Sequence, residues 1–133
     1  MYFGIHPGIV SPQRNFDHYI NLTENNDYEG SVHFPIPDRK APSLGYLADI
    51  VKYILSLDGS VYIFCKGGHG RSGTIASAIY GRLENVKGDE AMKTVCDKWR
   101  KHRDMNKIRP QIRKLGVPQT RVQKDVVREY LDN

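Results

Sequence analysis

Residues 61–74 read Val-Tyr-Ile-Phe-Cys-Lys-Gly-Gly-His-Gly-Arg-Ser-Gly-Thr, an apolar run that passes through three closely spaced glycines into a segment able to start a helix. A strand, a glycine-rich loop and a helix start, in that order, confine the chain to folds made of strand-to-helix units. The glycines at 67, 68 and 70 let the backbone turn back so that successive N–H groups converge, and the following helix adds the positive end of its dipole. Such a loop is an anion cradle, running here through Lys66, Gly67, Gly68, His69, Gly70 and Arg71. Phosphate is its natural occupant.

Cys65 closes the strand, where its sulfur is expected to face the cradle. A free thiol titrates near ~8.5, and helix N-termini with nearby cations bring it to roughly 3.5–7.5, so a thiolate nucleophile is expected at neutral pH. Arg71, six residues on, supplies a planar fork for two phosphate oxygens and for the charge of a transition state. Ser72 is placed to donate a hydrogen bond to the sulfur. Lys66 and His69 are expected to add positive charge beside the substrate. Residues 68–73 also read GxGxxG with Asp89 and Glu90 about twenty positions on, but these acids open another helix, so the second strand that a dinucleotide site needs is missing.

Around this segment, short strands are expected from Met1 to Ile5, His18 to Leu22 and Ser31 to Ile36, and again at Val61 to Cys65. Leu44, Leu47, Ala48, Val51, Ile54 and Leu55 recur at helical spacing behind Ser43, a capping residue. Beyond residue 71 the periodicity is helical throughout. Ile75, Ala76, Ile79 and Leu83 make one stripe, Met92, Val95, Cys96 and Trp99 a second, and Val122, Val126, Val127, Tyr130 and Leu131 a third. Thr120 with Gln123 three positions later is a capping box for the last helix. Asp104 to Pro118 reads as a basic loop or broken helix. The expectation is one α/β domain over residues 1–133, with a small central sheet of about four to five mostly parallel strands flanked by helices.

Cysteine, five intervening residues, then Arg-Ser resembles the signature of the cysteine-based protein tyrosine phosphatase superfamily, and the compact dual-specificity branch in particular. Two further motifs align in order. Phe34-Pro35-Ile36-Pro37-Asp38 is similar to the family's acid loop, and the resemblance implies that Asp38 protonates the leaving oxygen and later activates water. Asp27, Asp49 and Asp58 are its competitors by residue type. Gly116-Val117-Pro118-Gln119-Thr120-Arg121-Val122-Gln123 is similar to the family's glutamine loop, which implies that Gln119 positions the hydrolytic water with Gln123 in support. Ile20-Asn21-Leu22-Thr23 looks like the branch's second strand. Phe64 stands where the family usually has histidine, and Ile36 stands where the longer tyrosine-specific enzymes have tryptophan. The resemblance implies hydrolysis of phosphate monoesters through a phosphocysteine, without metal or cofactor, most directly on phosphotyrosine and also on phosphoserine or phosphothreonine of proteins.

Charge leaves other readings open. Of 20 Lys+Arg and 15 Asp+Glu, residues 1–92 hold 8 and 10, and residues 93–133 hold 12 and 5. With Lys66 and His69 in the cradle, a basic C-terminal region attracts anionic lipid or RNA, so a phosphoinositide or RNA 5′-phosphatase is the second enzyme reading, with a solvated helix face as the plain one. A phosphate-binding module without turnover is the rival from another class. Cys96 reads as core, and the five histidines show no ligand spacing, so no metal site is expected. The two cysteines fit a reducing compartment, cytoplasmic or nuclear. The N-terminus lacks the basic and apolar regions of a secretory leader, and the 61–65 run is far too short to cross a bilayer.

Overall fold

The computed structural model describes every residue except Met1, Gln13, Asp104, Asn106, Lys107 and Arg109. Four strands, β1 (Tyr2–Ile5), β2 (His18–Asn21), β3 (Ser31–His33) and β4 (Val61–Cys65), form one sheet in the order β1-β4-β2-β3 with every pair parallel. Parallel neighbours need crossovers and burial on both faces. β4 meets that demand: all five of its residues are buried between β1 and β2. The register aligns Ile5 with Cys65 and Asn21 with Phe64, so the carboxyl ends of the strands share one edge. In open parallel sheets that edge is where ligands bind.

The expected α/β architecture holds, with four strands, all parallel. β3 stops at His33 rather than Ile36 because Pro35 and Pro37 have no N–H to give. Pairing continues without regular strand geometry, through Phe34 N to Asn21 O and Ile36 N to Leu22 O. Met1, the expected start of β1, lies outside the described residues, as do Asp104, Lys107 and Arg109 of the basic stretch. The rest of that stretch holds one short helix, α4 (Pro110–Leu115).

Helix α1 (Leu44–Leu55) starts at Ser43, whose hydroxyl accepts from Tyr46 N at 3.2 Å, and buries Leu47, Ile50, Val51 and Ile54. Helix α2 (Gly70–Glu84) follows the glycine loop and is buried from Gly70 to Ile79. Its Ile75, Ala78 and Ile79 pack with Ile20, Ile63 and the α1 face in the main core. Helix α3 (Gly88–His102) contributes Val95 and Trp99 to a second cluster with Ala76 and Val117, against which Cys96 lies half-buried. Helix α5 (Arg121–Asp132) carries the capping box of Thr120 and Gln123.

Four stripe positions depart from expectation: Leu44 and Leu55 are exposed at the two ends of α1, and two more lie on α2 and α5. Leu83 is 63% exposed, because the last turn of α2 turns Gly81 inward against Leu131, and residues two apart on a helix face opposite ways. Val122 is exposed as well, since Gln123 takes the inward place in the first turn of α5.

Candidate active site

Each loop that leaves the shared edge of the sheet brings one part of the site. β4 ends on Cys65, which is 3% exposed, and its Sγ lies 3.3 Å from Ser72 Oγ in the first turn of α2. Between them the backbone reverses at Gly68, whose φ of 74° belongs to the left-handed region. A Cβ built there would stand 2.7 Å from the Gly4 carbonyl carbon and 2.9 Å from Ile5 N, so both conformation and close approach require glycine. Gly70 opens α2 against Gln123, where a Cβ would meet Oε1 at 2.8 Å.

Arg71 is buried, and its head meets two hydrogen-bond acceptors and one further carboxylate. Nη1 donates to Glu24 Oε1 at 2.6 Å and to the Ile36 carbonyl at 2.9 Å, while Nη2 stands 3.5 Å from Asp38 Oδ1. Asp38 is therefore brought to the cradle, from a loop that begins after β3. Its competitors are elsewhere or occupied: Asp49 lies within α1, and Asp27 is bound to His6.

The acid loop is tied to the glutamine loop. Gln123 has no exposed surface, yet each end of its side chain is used. Oε1 accepts from Gln119 N at 3.1 Å and Thr120 N at 3.0 Å, and Nε2 donates to the Lys40 carbonyl at 3.1 Å. Thr120 Oγ1 adds a bond to the Arg39 carbonyl at 3.2 Å. Gln119 is half-buried at the start of this segment, and only its backbone N–H is bonded among the described residues.

Lys66 and Arg71 line a cleft of about 450 Å³ together with Asp38, Glu24, Asp27 and His6. Lys66 is exposed, as expected of a cation at the mouth. His69 departs from the expected positive charge. Its ring packs edge-on against Trp99 at 5.5 Å, and burial, with the Arg103 guanidinium adding to it, pushes its pKa down to about 4. It is neutral at pH 7, and only its backbone remains part of the cradle.

Glu24 was not singled out by motif or spacing. The signal that finds it is topological: it follows β2 by three residues, at the ligand-binding edge. Its loop is held by the buried Asn21, whose Oδ1 accepts from Thr23 N at 2.9 Å and Thr23 Oγ1 at 2.6 Å. Asn21 Nδ2 donates to the Asn25 carbonyl at 3.1 Å and to Asp27 Oδ1 at 3.2 Å. His6 accepts from Gly8 N through Nδ1, so its Nε2–H is the donor to Asp27 Oδ1 at 2.8 Å. That bond, above all, holds the Asp27 carboxyl below its usual range. Phe64, fully buried, packs edge-on against His6 and Tyr28 and stacks with Tyr62.

A buried cysteine beside a serine hydroxyl, a glycine cradle, a buried arginine and a carboxylate at its rim agree with a family match over residues 13–83, described as the DSP-PTPase phosphatase of polymorphic toxin systems. The chain belongs to this family. The matched region contains Asp38, Cys65 and Arg71 and ends before the glutamine loop. A putative tyrosine phosphatase of Invertebrate iridescent virus 6 is 34% identical over 74 residues, 49% of this chain and 27% of that protein. An uncharacterized protein of Methanocaldococcus jannaschii is 33% identical over 60 residues, 43% of this chain and 37% of its own. The matches thus span between a quarter and two fifths of these relatives. Among solved structures, Tk-PTP in its active form superposes with a TM-score of 0.69 at 29% identity, over 89% of this chain and 80% of that one. PTPMT1, at 22% identity and a TM-score of 0.58 over 86% and 75%, shares the fold. The architecture is that of the dual-specificity phosphatases, and the chain is of the tyrosine and dual-specificity phosphatase type.

Proposed function

We propose that the chain hydrolyses phosphate monoesters in two steps. The observation that carries this reading is the convergence of Cys65 and Ser72 at 3.3 Å with Arg71 and Asp38 at 3.5 Å around one glycine loop. In the first step the Cys65 thiolate attacks phosphorus and the bond from phosphorus to the ester oxygen breaks, with Asp38 donating its proton to the departing alcohol or phenol. The amides of residues 66–71 and the Arg71 fork hold the equatorial oxygens. In the second step water attacks the phosphocysteine, Asp38 takes its proton, and the P–S bond breaks. Ser72 stabilises the returning thiolate, and Gln119 orients the water. The residues themselves supply nucleophile, acid and oxyanion donors, so the scheme calls on no cofactor. A phosphate-binding module without turnover would have no use for Asp38 at the Arg71 head.

Phosphotyrosine on proteins, with phosphoserine or phosphothreonine, is the favoured substrate class. Three carboxylates, Glu24, Asp27 and Asp38, line the cleft against Lys66 and Arg71, which suits a single phosphate on an otherwise uncharged or basic chain. Of the basic residues that motivate the lipid and RNA readings, Lys66 lines the cleft and His69 and Arg103 lie at the glycine loop, while others lie apart. Lys93, Arg100, Lys124 and Arg128 line a separate groove of about 250 Å³ between α3 and α5. A thiol nucleophile also works best in a reducing compartment, and we place the protein there, in cytoplasm or nucleus.

Turnover of p-nitrophenyl phosphate tests the chemistry. Cys65→Ser is expected to abolish it in a folded protein, and Asp38→Asn to slow it by roughly 10²–10⁴. Full activity in the serine variant would refute the mechanism. A panel of phosphopeptides, inositol phospholipids and 5′-triphosphorylated RNA tests the substrate class, and preference for either polyanion would overturn it.

A further inference from the structure

The charges gathered at the cradle leave one half-buried cation unaccounted for. Arg71 is met by both Glu24 and Asp38, so its charge is already opposed by two carboxylates before a phosphate dianion enters. His69 is neutral, and burial pushes the Tyr62 phenol up to about 12, so it is neutral too. Arg103, the C-cap residue of α3, is half-buried and forms no ion pair among the described residues. Its Nη1 is shielded from solvent with no hydrogen-bond partner among them. That nitrogen lies against the loop itself: a Cβ built on Gly68 would stand 2.9 Å from it, on the side where Gly68 meets β1.

A guanidinium nitrogen shielded from water, with no counter-ion among the described residues, is costly. Trp99 Nε1 and His69 Nδ1 are likewise buried without a partner among the described residues, and neither carries a charge that could balance Arg103. The negative charge that would balance Arg103 is the one the site collects in use. Burial holds this guanidinium below its ordinary range, with Tyr62 and Cys65 acting against that effect.

We propose that Arg103 is a second guanidinium of the phosphate site, a positioning residue that supports the cradle from behind Gly68 and stabilises the charge on the Cys65 sulfur and the bound phosphoryl group without touching substrate. Arg71 grips the phosphate oxygens directly and is neutralised at rest, whereas Arg103 contributes a fixed field through the loop. A low effective dielectric around the buried loop lets such a field act without contact.

The inference rests on the phosphatase reading above, and the experiment separates the two. Tungstate binding by calorimetry, kcat and KM on p-nitrophenyl phosphate, and the urea midpoint are measured for the wild-type protein, Arg103→Met and Arg103→Lys. The methionine variant is expected to keep or raise its urea midpoint, because it removes a half-buried charge with no ion pair among the described residues, while tungstate affinity and kcat/KM fall by about 10- to 100-fold. Lysine is expected to recover most of that loss. Tungstate affinity within twofold of wild type in Arg103→Met would overturn the proposal. So would a loss that follows a lowered midpoint and is shared by Arg103→Lys, which marks a purely structural residue. If the wild-type protein binds no tungstate, the phosphate-site reading fails and Arg103 loses its role with it.

Discussion

Replacing Gln123 by leucine tests whether one buried side chain holds the segments around Asp38 and Gln119 in register. The substitution keeps the volume nearly constant, so packing against Gly70 is largely preserved and the hydrogen bonds are what change. Three are lost, from Gln119 N, from Thr120 N and to the Lys40 carbonyl. All three are part-buried, which sets the cost near the lower end of the range for an orphaned polar group, about 1 kcal/mol each and about 3 kcal/mol together. A chain of this size then loses roughly 1.5–2 M in urea midpoint. The kinetic signature is more telling than the stability. Freed from Gln123, the segment after Asp38 keeps, among the described residues, the hydrogen bond of Thr120 to the Arg39 carbonyl as its tie to the start of α5, so under the proposed mechanism general acid catalysis suffers most. Phenyl phosphate, whose leaving group needs a proton, should lose several-fold more kcat than p-nitrophenyl phosphate, whose leaving group needs it less. An unchanged urea midpoint would refute the hydrogen-bond reasoning. Equal losses for the two esters would refute the link to the acid loop.

Glu24→Gln should lower kcat about tenfold while leaving KM unchanged or lower, because Arg71 loses an orienting carboxylate but also a competitor for phosphate; steady-state kinetics decide, and a raised KM with unchanged kcat contradicts this. Gly68→Ala should abolish tungstate binding and cost at least about 2 kcal/mol, since its φ of 74° and the β1 backbone 2.7 Å from the added Cβ both oppose it; near-wild-type calorimetry would refute the fit of the loop. His69 takes up a proton in the unfolded chain near pH 6.5 but in the folded one only near about 4, so stability is present above that window and falls as pH falls through it. Allowing for its partial exposure, the loss is about 1.5 kcal/mol, and His69→Phe should flatten urea midpoints between pH 6.5 and 4.5; an unaltered slope sinks the assignment.

What the sequence revealed and what it hid divide along physical lines. β4, the glycine loop, the α1 face and the capping box of α5 were readable because each depends on neighbours a few positions apart. The Cys65 to Ser72 pairing was readable for the same reason, since strand end and helix start fix both. Glu24 and Arg103 reach across 47 and 35 positions of chain, to Arg71 and Gly68, and no local pattern carries that information; Gln123 was readable as the partner of Thr120, but its bond to Lys40, 83 positions away, was not. His69 shows the converse error. Its place in a basic, glycine-rich loop suggests a charge, and only the packing of its ring on Trp99 reveals a neutral residue.

The direction of the strands explains why so much polar chemistry can gather at one edge. With all four strands parallel, residues after β1, β2, β3 and β4 emerge together, and each loop needs only a few residues to reach the cradle. Two of those loops deliver carboxylates to the same guanidinium, which leaves Arg71 oriented but electrostatically satisfied before substrate arrives. Under the proposed function, a phosphate monoester must displace at least part of that pairing, so binding is an exchange of anions rather than a simple gain. An exchange of this kind favours the ligand that concentrates its charge on one phosphoryl group inside the amide cradle. A polyanion would bring its further charges against Glu24 and Asp27 at the mouth, with Lys66 as the exposed cation there to offset them. Under the proposed reading, then, the acidic rim selects against polyanionic substrates, and Glu24→Lys should shift preference from phosphopeptides toward inositol phospholipids in direct competition. Unchanged preference in that competition would show that the rim carbon framework, rather than its charge, sets the choice.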